Sequence, residues 1–116
     1  MARVLDLLKK TNACPSAYVV DGDTLRCGSI RLRLLGIDAP EMPGHCARNR
    51  ECAPGDGFAS KQSLIDAMRY GRLTYSIVTT DRYGRLVAEA WAGSRNLSCW
   101  QLQQGQAICT DGTMAG

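Results

Sequence analysis

The sequence predicts an α+β domain, mainly β, with five short strands, one helix between the third and fourth, and a short helix near the end. Three observations lead there. Apolar and polar residues alternate in short runs separated by Gly- and Asp-rich turns. A single early stretch, 58–69, spaces its apolar residues as an amphipathic helix does. And 116 residues with 45% hydrophobic content are enough for one small core.

Residues 17–20 (Ala-Tyr-Val-Val) form the first predicted strand, stopped by Asp21-Gly22-Asp23-Thr24. An Asp-Gly pair between apolar runs is a strong hairpin signal, and 24–27 returns as the second strand. Gly28-Ser29 turns the chain into the third strand, 30–36, where Ile30, Leu32 and Leu34 face one side and Arg31 and Arg33 the other. Gly36 and Pro40 end it, leaving two carboxylates, Asp38 and Glu41, at its exit. The loop over 38–57 is too long to be mere connection in a domain this size.

The helix predicted over 58–69 has Asp56 as a possible N-cap, Phe58, Leu64, Ile65 and Met68 as its apolar set, and Gly71 as its stop. Residues 73–79 and 86–91 are the fourth and fifth strands, joined by Asp81-Arg82-Tyr83-Gly84-Arg85, and 96–104 is a short helix with Leu97, Trp100 and Leu102. Trp91 and Trp100 are read as packing residues. This element order is that of a five-stranded OB-fold barrel. The domain is placed at 17–109, with 1–16 as lead-in and 110–116 as a frayed tail.

The net charge of +3, fourteen Lys and Arg against eleven Asp and Glu, is compatible with a polyanionic ligand without arguing for one. No apolar run approaches the roughly 20 residues that span a bilayer, so no membrane role is expected. Residues 1–10 put their lysines after a short apolar stretch, the wrong order for a signal peptide, and read as a helical lead-in.

Six cysteines, Cys14, Cys27, Cys46, Cys52, Cys99 and Cys109, are many for a chain of this size and favour a secreted or periplasmic setting. None has C-x-x-C spacing, which argues against structural zinc. Cys46 and Cys52 bracket a charged loop and are expected to form a disulfide if the chain is exported; free thiols throughout are the alternative. Cys27 is expected in the core as a small apolar residue. His45, beside Cys46, reads as a surface residue.

Three stretches together, Val20-Asp21-Gly22-Asp23-Thr24, then Arg33-Leu34-Leu35-Gly36-Ile37-Asp38-Ala39-Pro40-Glu41, then Asp81-Arg82-Tyr83-Gly84-Arg85, closely resemble the staphylococcal nuclease (thermonuclease) family in order and spacing. The match runs over about 17–105. The loop 42–57 departs from it, with two cysteines and mixed charge where well-known members have a lysine-rich loop. The resemblance implies an OB barrel and a calcium-dependent phosphodiesterase, an endonuclease acting on DNA and RNA with little sequence preference. It assigns Asp23 and Asp38 to Ca²⁺, Arg33 and Arg85 to the phosphate, and Glu41 to the attacking water. Arg82 and Tyr83 become substrate contacts.

The chemistry of these residue types agrees. Calcium takes six to eight oxygens, so two converging Asp residues completed by the backbone carbonyl of Ala39 and by water suit it. Asp21 is expected to support the site from behind. Planar arginine forks grip phosphate oxygens in pairs, and their contacts strengthen as charge builds in the transition state. A monomer is expected. The rival expectation is a non-catalytic module of the same fold binding single-stranded nucleic acid or a protein partner. For single strands that reading needs exposed aromatics along the strands, for which Tyr18, Tyr75 and Tyr83 are the candidates.

Overall fold

A computed structural model of the protein describes residues 10–46 and 52–110. The chain runs through β1 (Asn12–Ala13), β2 (Ala17–Asp21), β3 (Thr24–Cys27), β4 (Ile30–Leu34), β5 (Ile37–Asp38), α1 (Gly57–Ala67), a 3-10 turn (Met68–Tyr70), β6 (Leu73–Thr80), β7 (Leu86–Ala92), β8 (Arg95–Asn96), α2 (Leu97–Gln103) and β9 (Ile108–Cys109). The main sheet has the order β1-β6-β7-β4-β3-β2, with β8 beside β7. Its first and last strands are consecutive pieces of chain, interrupted at Cys14–Ser16, and this curls the sheet back on itself. The architecture is the predicted α+β OB fold.

The meander β2-β3-β4 is antiparallel, and β4 then pairs in parallel with β7, Leu32 opposite Leu86 and Leu34 opposite Ala88. A parallel pair needs a crossover, and α1, the 3-10 turn and β6 supply it. Inward positions Leu25, Leu32 and Leu34 meet Leu64 of α1 and Leu97 of α2, all at most 1% exposed. Asp56 caps α1 as expected, accepting hydrogen bonds from the N–H groups of Phe58 and Ala59. Trp100 packs on Tyr70, and its indole N–H is donated to the carbonyl of Ser63.

Several expectations need correction. The helix 58–69 is instead α1 followed by a 3-10 turn, and its buried residues are Gly57, Ser60, Leu64 and Ala67, while Phe58 and Ile65 face solvent. The inward face is small because the backbone of the β2–β3 turn lies directly against it. Residues 12–16, assigned to a lead-in, belong to the barrel: β1 pairs with β6 at Asn12–Tyr75 and Ala13–Thr74, and Cys14 is buried. The rest of the proposed lead-in, 1–9, and the tail from 111 lie outside the described residues. The third strand does not simply end at Gly36. That glycine turns with φ 79° and the chain resumes as β5, which pairs with β9 near the end of the domain, Asp38 opposite Ile108. No helix among the described residues is long and apolar enough to cross a membrane.

Cys27 is not a free core thiol but forms a disulfide with Cys14, and Cys46 pairs with Cys52 as expected. Cys99 and Cys109 are free and exposed. The Cys14–Cys27 bridge fastens β1, at one margin of the sheet, to β3 near the other. Closing a loop of 13 residues stabilises by about 3 kcal/mol in the chain-entropy model. A Cys14→Ala/Cys27→Ala variant should therefore lose about that much stability, read from urea denaturation as a lower midpoint with a slope that holds or steepens, because the unbridged denatured chain is less compact.

Candidate active site

The β2–β3 turn, the end of β4 and the β6–β7 turn converge on one cleft of about 890 Å³. Asp21, Asp23, Arg33, Glu41, Tyr83 and Arg85 all line it, so most of the site residues expected from sequence come together. Asp38 sits beside the cleft on β5 and is tied to it through Arg33.

Asp23 is 1% exposed, an unusual place for a carboxylate, and protein donors surround it. One oxygen accepts from the Thr24 hydroxyl at 2.9 Å. The other accepts from the N–H of Ala39 at 2.9 Å and from Arg33 Nη1 at 3.2 Å. Arg33 Nη2 donates onward to Asp38 Oδ1 at 3.2 Å and to the carbonyl of Ile37 at 3.3 Å. One guanidinium thus holds two carboxylates of like charge together. Burial pushes the Asp23 carboxyl above its ordinary range; Arg33, the Ala39 N–H and the Thr24 hydroxyl pull it down without cancelling the rise, to which Asp38 adds. Ala39 is itself fully buried.

The register explains why these groups meet. Thr24 stands opposite Arg33 across the β3–β4 pair, so the residue before Thr24 falls next to the arginine. On the other flank, Leu32–Leu86 pairing brings the β6–β7 turn alongside β4. That turn is organised by Asp81, which accepts from the N–H groups of Tyr83 and Arg85 at 2.9 Å each and from Arg85 Nε at 2.6 Å. Burial alone would raise the Asp81 carboxyl, but these donors outweigh it and hold it below its ordinary range. With Nε fixed, Arg85 keeps its terminal nitrogens for the cleft. The guanidinium groups of Arg82 and Arg85 each lie 5.2 Å from the centre of the exposed Tyr83 ring.

Asp21 is buried at the cleft wall. Its Oδ1 accepts from the N–H of Met42, the residue after Glu41, and lies 2.8 Å from His45 Nδ1. His45 is therefore not an idle surface residue; it fastens the loop carrying Glu41 to the β2–β3 turn. Nothing in the sequence pattern marks that contact. Asp81 was legible only as a turn-former, although its spacing of four from Arg85 was a usable signal.

Three further residues were missed. Gln101, fully buried in α2, donates its amide to the carbonyl of Gly22 at 2.8 Å and to the carbonyl of Ser60 at 2.9 Å, while its Oε1 has no partner among the described residues. Ser60 presses on Gly22 so closely that a Cβ there would collide with its hydroxyl. A Cβ on Gly57 would likewise collide with the carbonyl of Glu41. Helix α1 is the surface against which both acid-bearing segments are set.

The family model described as "Staphylococcal nuclease homologue" matches residues 31–114. The chain belongs to this family. An "Uncharacterized endonuclease" of Haemophilus influenzae is 30% identical over 104 residues, covering 85% of this chain and 53% of that protein. The succinoglycan biosynthesis protein ExoI of Rhizobium meliloti is 31% identical over 99 residues, covering 82% of this chain and 51% of that protein. The chain spans about half the length of these curated relatives. The matched stretch includes Arg33, Glu41, Tyr83 and Arg85 of the cleft, while Asp21 and Asp23 lie before it.

Among the described residues no group of three or more His, Cys, Asp or Glu side chains converges on a single point. The carboxylates there offer the oxygen donors that a hard divalent cation takes. Asp23 and Asp38 present only oxygen, and their two charges are met by one guanidinium. A Gly22→Ala substitution should displace the Asp21–Asp23 turn and cost about 1–3 kcal/mol, as overpacking does. Thermal denaturation of Gly22→Ala beside Gly22→Ala/Ser60→Gly checks this, with the second substitution recovering much of the loss.

Proposed function

We propose that this protein is a calcium-dependent endonuclease that hydrolyses phosphodiesters of DNA and RNA with little sequence preference, acting as a monomer outside the reducing cytoplasm. The observation that carries the reading is the pair of arginines on one cleft, Arg33 tied to the buried Asp23 and the part-buried Asp38 and Arg85 fixed by Asp81, with Glu41 lining the same cleft. Two disulfides support an oxidising compartment.

A phosphodiester anion repels its nucleophile and gains charge on its oxygens in the transition state. Arg33 uses three of its five donors on Asp23, Asp38 and Ile37, leaving two N–H groups for a phosphate oxygen. Arg85 offers its terminal nitrogens to another. Glu41, whose backbone is backed by α1, accepts a proton from the attacking water. Tyr83 and Arg82 contact the sugar-phosphate chain from the exposed tip of the hairpin. Calcium, held by Asp23, Asp38 and the Ala39 carbonyl, would supply positive charge to the phosphate and help orient the water.

The alternative is a module of this fold that only binds. Tyr18 and Tyr83 are exposed as single-strand binding asks, while Tyr75 is buried. Against a purely binding role stands the full acid and arginine set.

Single-stranded DNA should be cleaved with calcium, poorly with magnesium, which demands a stricter octahedron, and not at all with a chelator. Comparable turnover with magnesium alone would overturn the calcium assignment; intact substrate with every metal would overturn the enzyme. Arg85→Lys should lower turnover about 100- to 1,000-fold, as loss of one preorganised donor does, while the thermal midpoint stays near that of the parent. Measured turnover within a few-fold of the parent would make Arg85 structural.

A further inference from the structure

Beyond the cleft, the outer face of the meander carries a row of exposed residues, Tyr18, Arg26 and Arg31. Strand register sets the row: Tyr18 stands opposite Arg26, and Arg26 opposite Arg31. The alternate positions, Val19, Leu25 and Leu32, pair in the same order and are buried, so the row occupies the solvent side of β2, β3 and β4. Two arginines directly opposite each other repel and destabilise the pair. Neither has an acidic partner among the described residues.

The row is continuous with the cleft. Arg31 lines the cleft wall, and at the far end Tyr18 is 58% exposed, with the ammonium group of Lys61 on α1 at 5.4 Å from its ring centre. Two inter-strand steps of about 4.8 Å separate Arg31 from Tyr18, roughly the length of three stacked nucleotides at 3.4 Å each.

We propose that this row is an extended binding track for single-stranded nucleic acid, with Arg31 and Arg26 on successive phosphates and Tyr18 stacking a base. It deepens the nuclease reading and rests on it only for the continuity with a cleaved strand. A single strand is favoured over a duplex because its bases can reach the Tyr18 ring. Charge that repels itself in the free protein is neutralised when the polyanion binds.

The test is equilibrium binding of oligothymidylates of 2 to 12 nucleotides, followed by fluorescence anisotropy at several salt concentrations with chelator present so that the strand stays intact. Affinity of the parent should climb with length as the track fills. Arg26→Gln/Arg31→Gln should reduce the slope of log K against log salt by about 1.4, some 0.7 for each phosphate no longer neutralised, and Arg26→Lys should retain its share. Tyr18→Ala should weaken the 12-mer roughly 5- to 100-fold with little change in slope. The thermal midpoint of Arg26→Gln should hold or rise, because a repulsion is removed. An unchanged slope in the double variant, a falling midpoint that accounts for the weaker binding, or a blunt duplex bound as tightly as the single strand would each overturn the proposal. Cleavage is scored separately with calcium: binding that behaves as stated without cleavage keeps the track and removes the nuclease reading, and the reverse removes the track alone.

Discussion

A carboxylate taken out of water must be compensated by its surroundings, and much of this domain is arranged around that requirement at Asp23. Burial raises its pKa, and three donors from different parts of the chain, Thr24, Arg33 and the backbone of Ala39, offset part of the cost. Each donor fixes a segment. Thr24 belongs to the hairpin, Arg33 to the third strand of the meander, and Ala39 to the exit of β5. Removing any one leaves the others to hold a charge that water no longer solvates.

The same cluster depends on a backstop. Helix α1 has a small inward face, Gly57, Ser60, Leu64 and Ala67, which admits the Gly22 turn on one side and the Glu41 backbone on the other. A larger inward face would give more apolar burial and push both acid-bearing segments outward. Helix α2 completes the clamp through Gln101, whose amide links Gly22 to Ser60. The phosphate side is set differently, by the parallel pairing of β4 with β7 and by Asp81 holding the hairpin tip.

Disulfides reinforce a small core. Cys14–Cys27 ties the residue after β1, at one margin of the curled sheet, to β3 next to the other margin, and Cys46–Cys52 closes the loop that follows Glu41 and His45. The contact between His45 and Asp21 then joins that loop to the turn bearing Asp23.

Local pattern alone determined the strands of the meander, the β6–β7 hairpin and the N-cap at Asp56, because strand period and turn chemistry act within a few residues. The expectation that Asp21, Asp23, Arg33, Asp38, Glu41 and Arg85 share one site came from the resemblance of their three motifs to the nuclease family. What lay beyond it were contacts between residues far apart in the chain. Cys27 was legible as small and apolar but its bond to Cys14 depends on the closure of the sheet, and β9 forms only because β5 is there to receive it. Phe58 and Ile65 looked like the buried face of α1, yet the backbone of Gly22 left room there only for Ser60. The sequence determines which groups are available within each segment; the tertiary structure decides which meet, because burial and steric fit act on atoms brought together from dozens of residues apart.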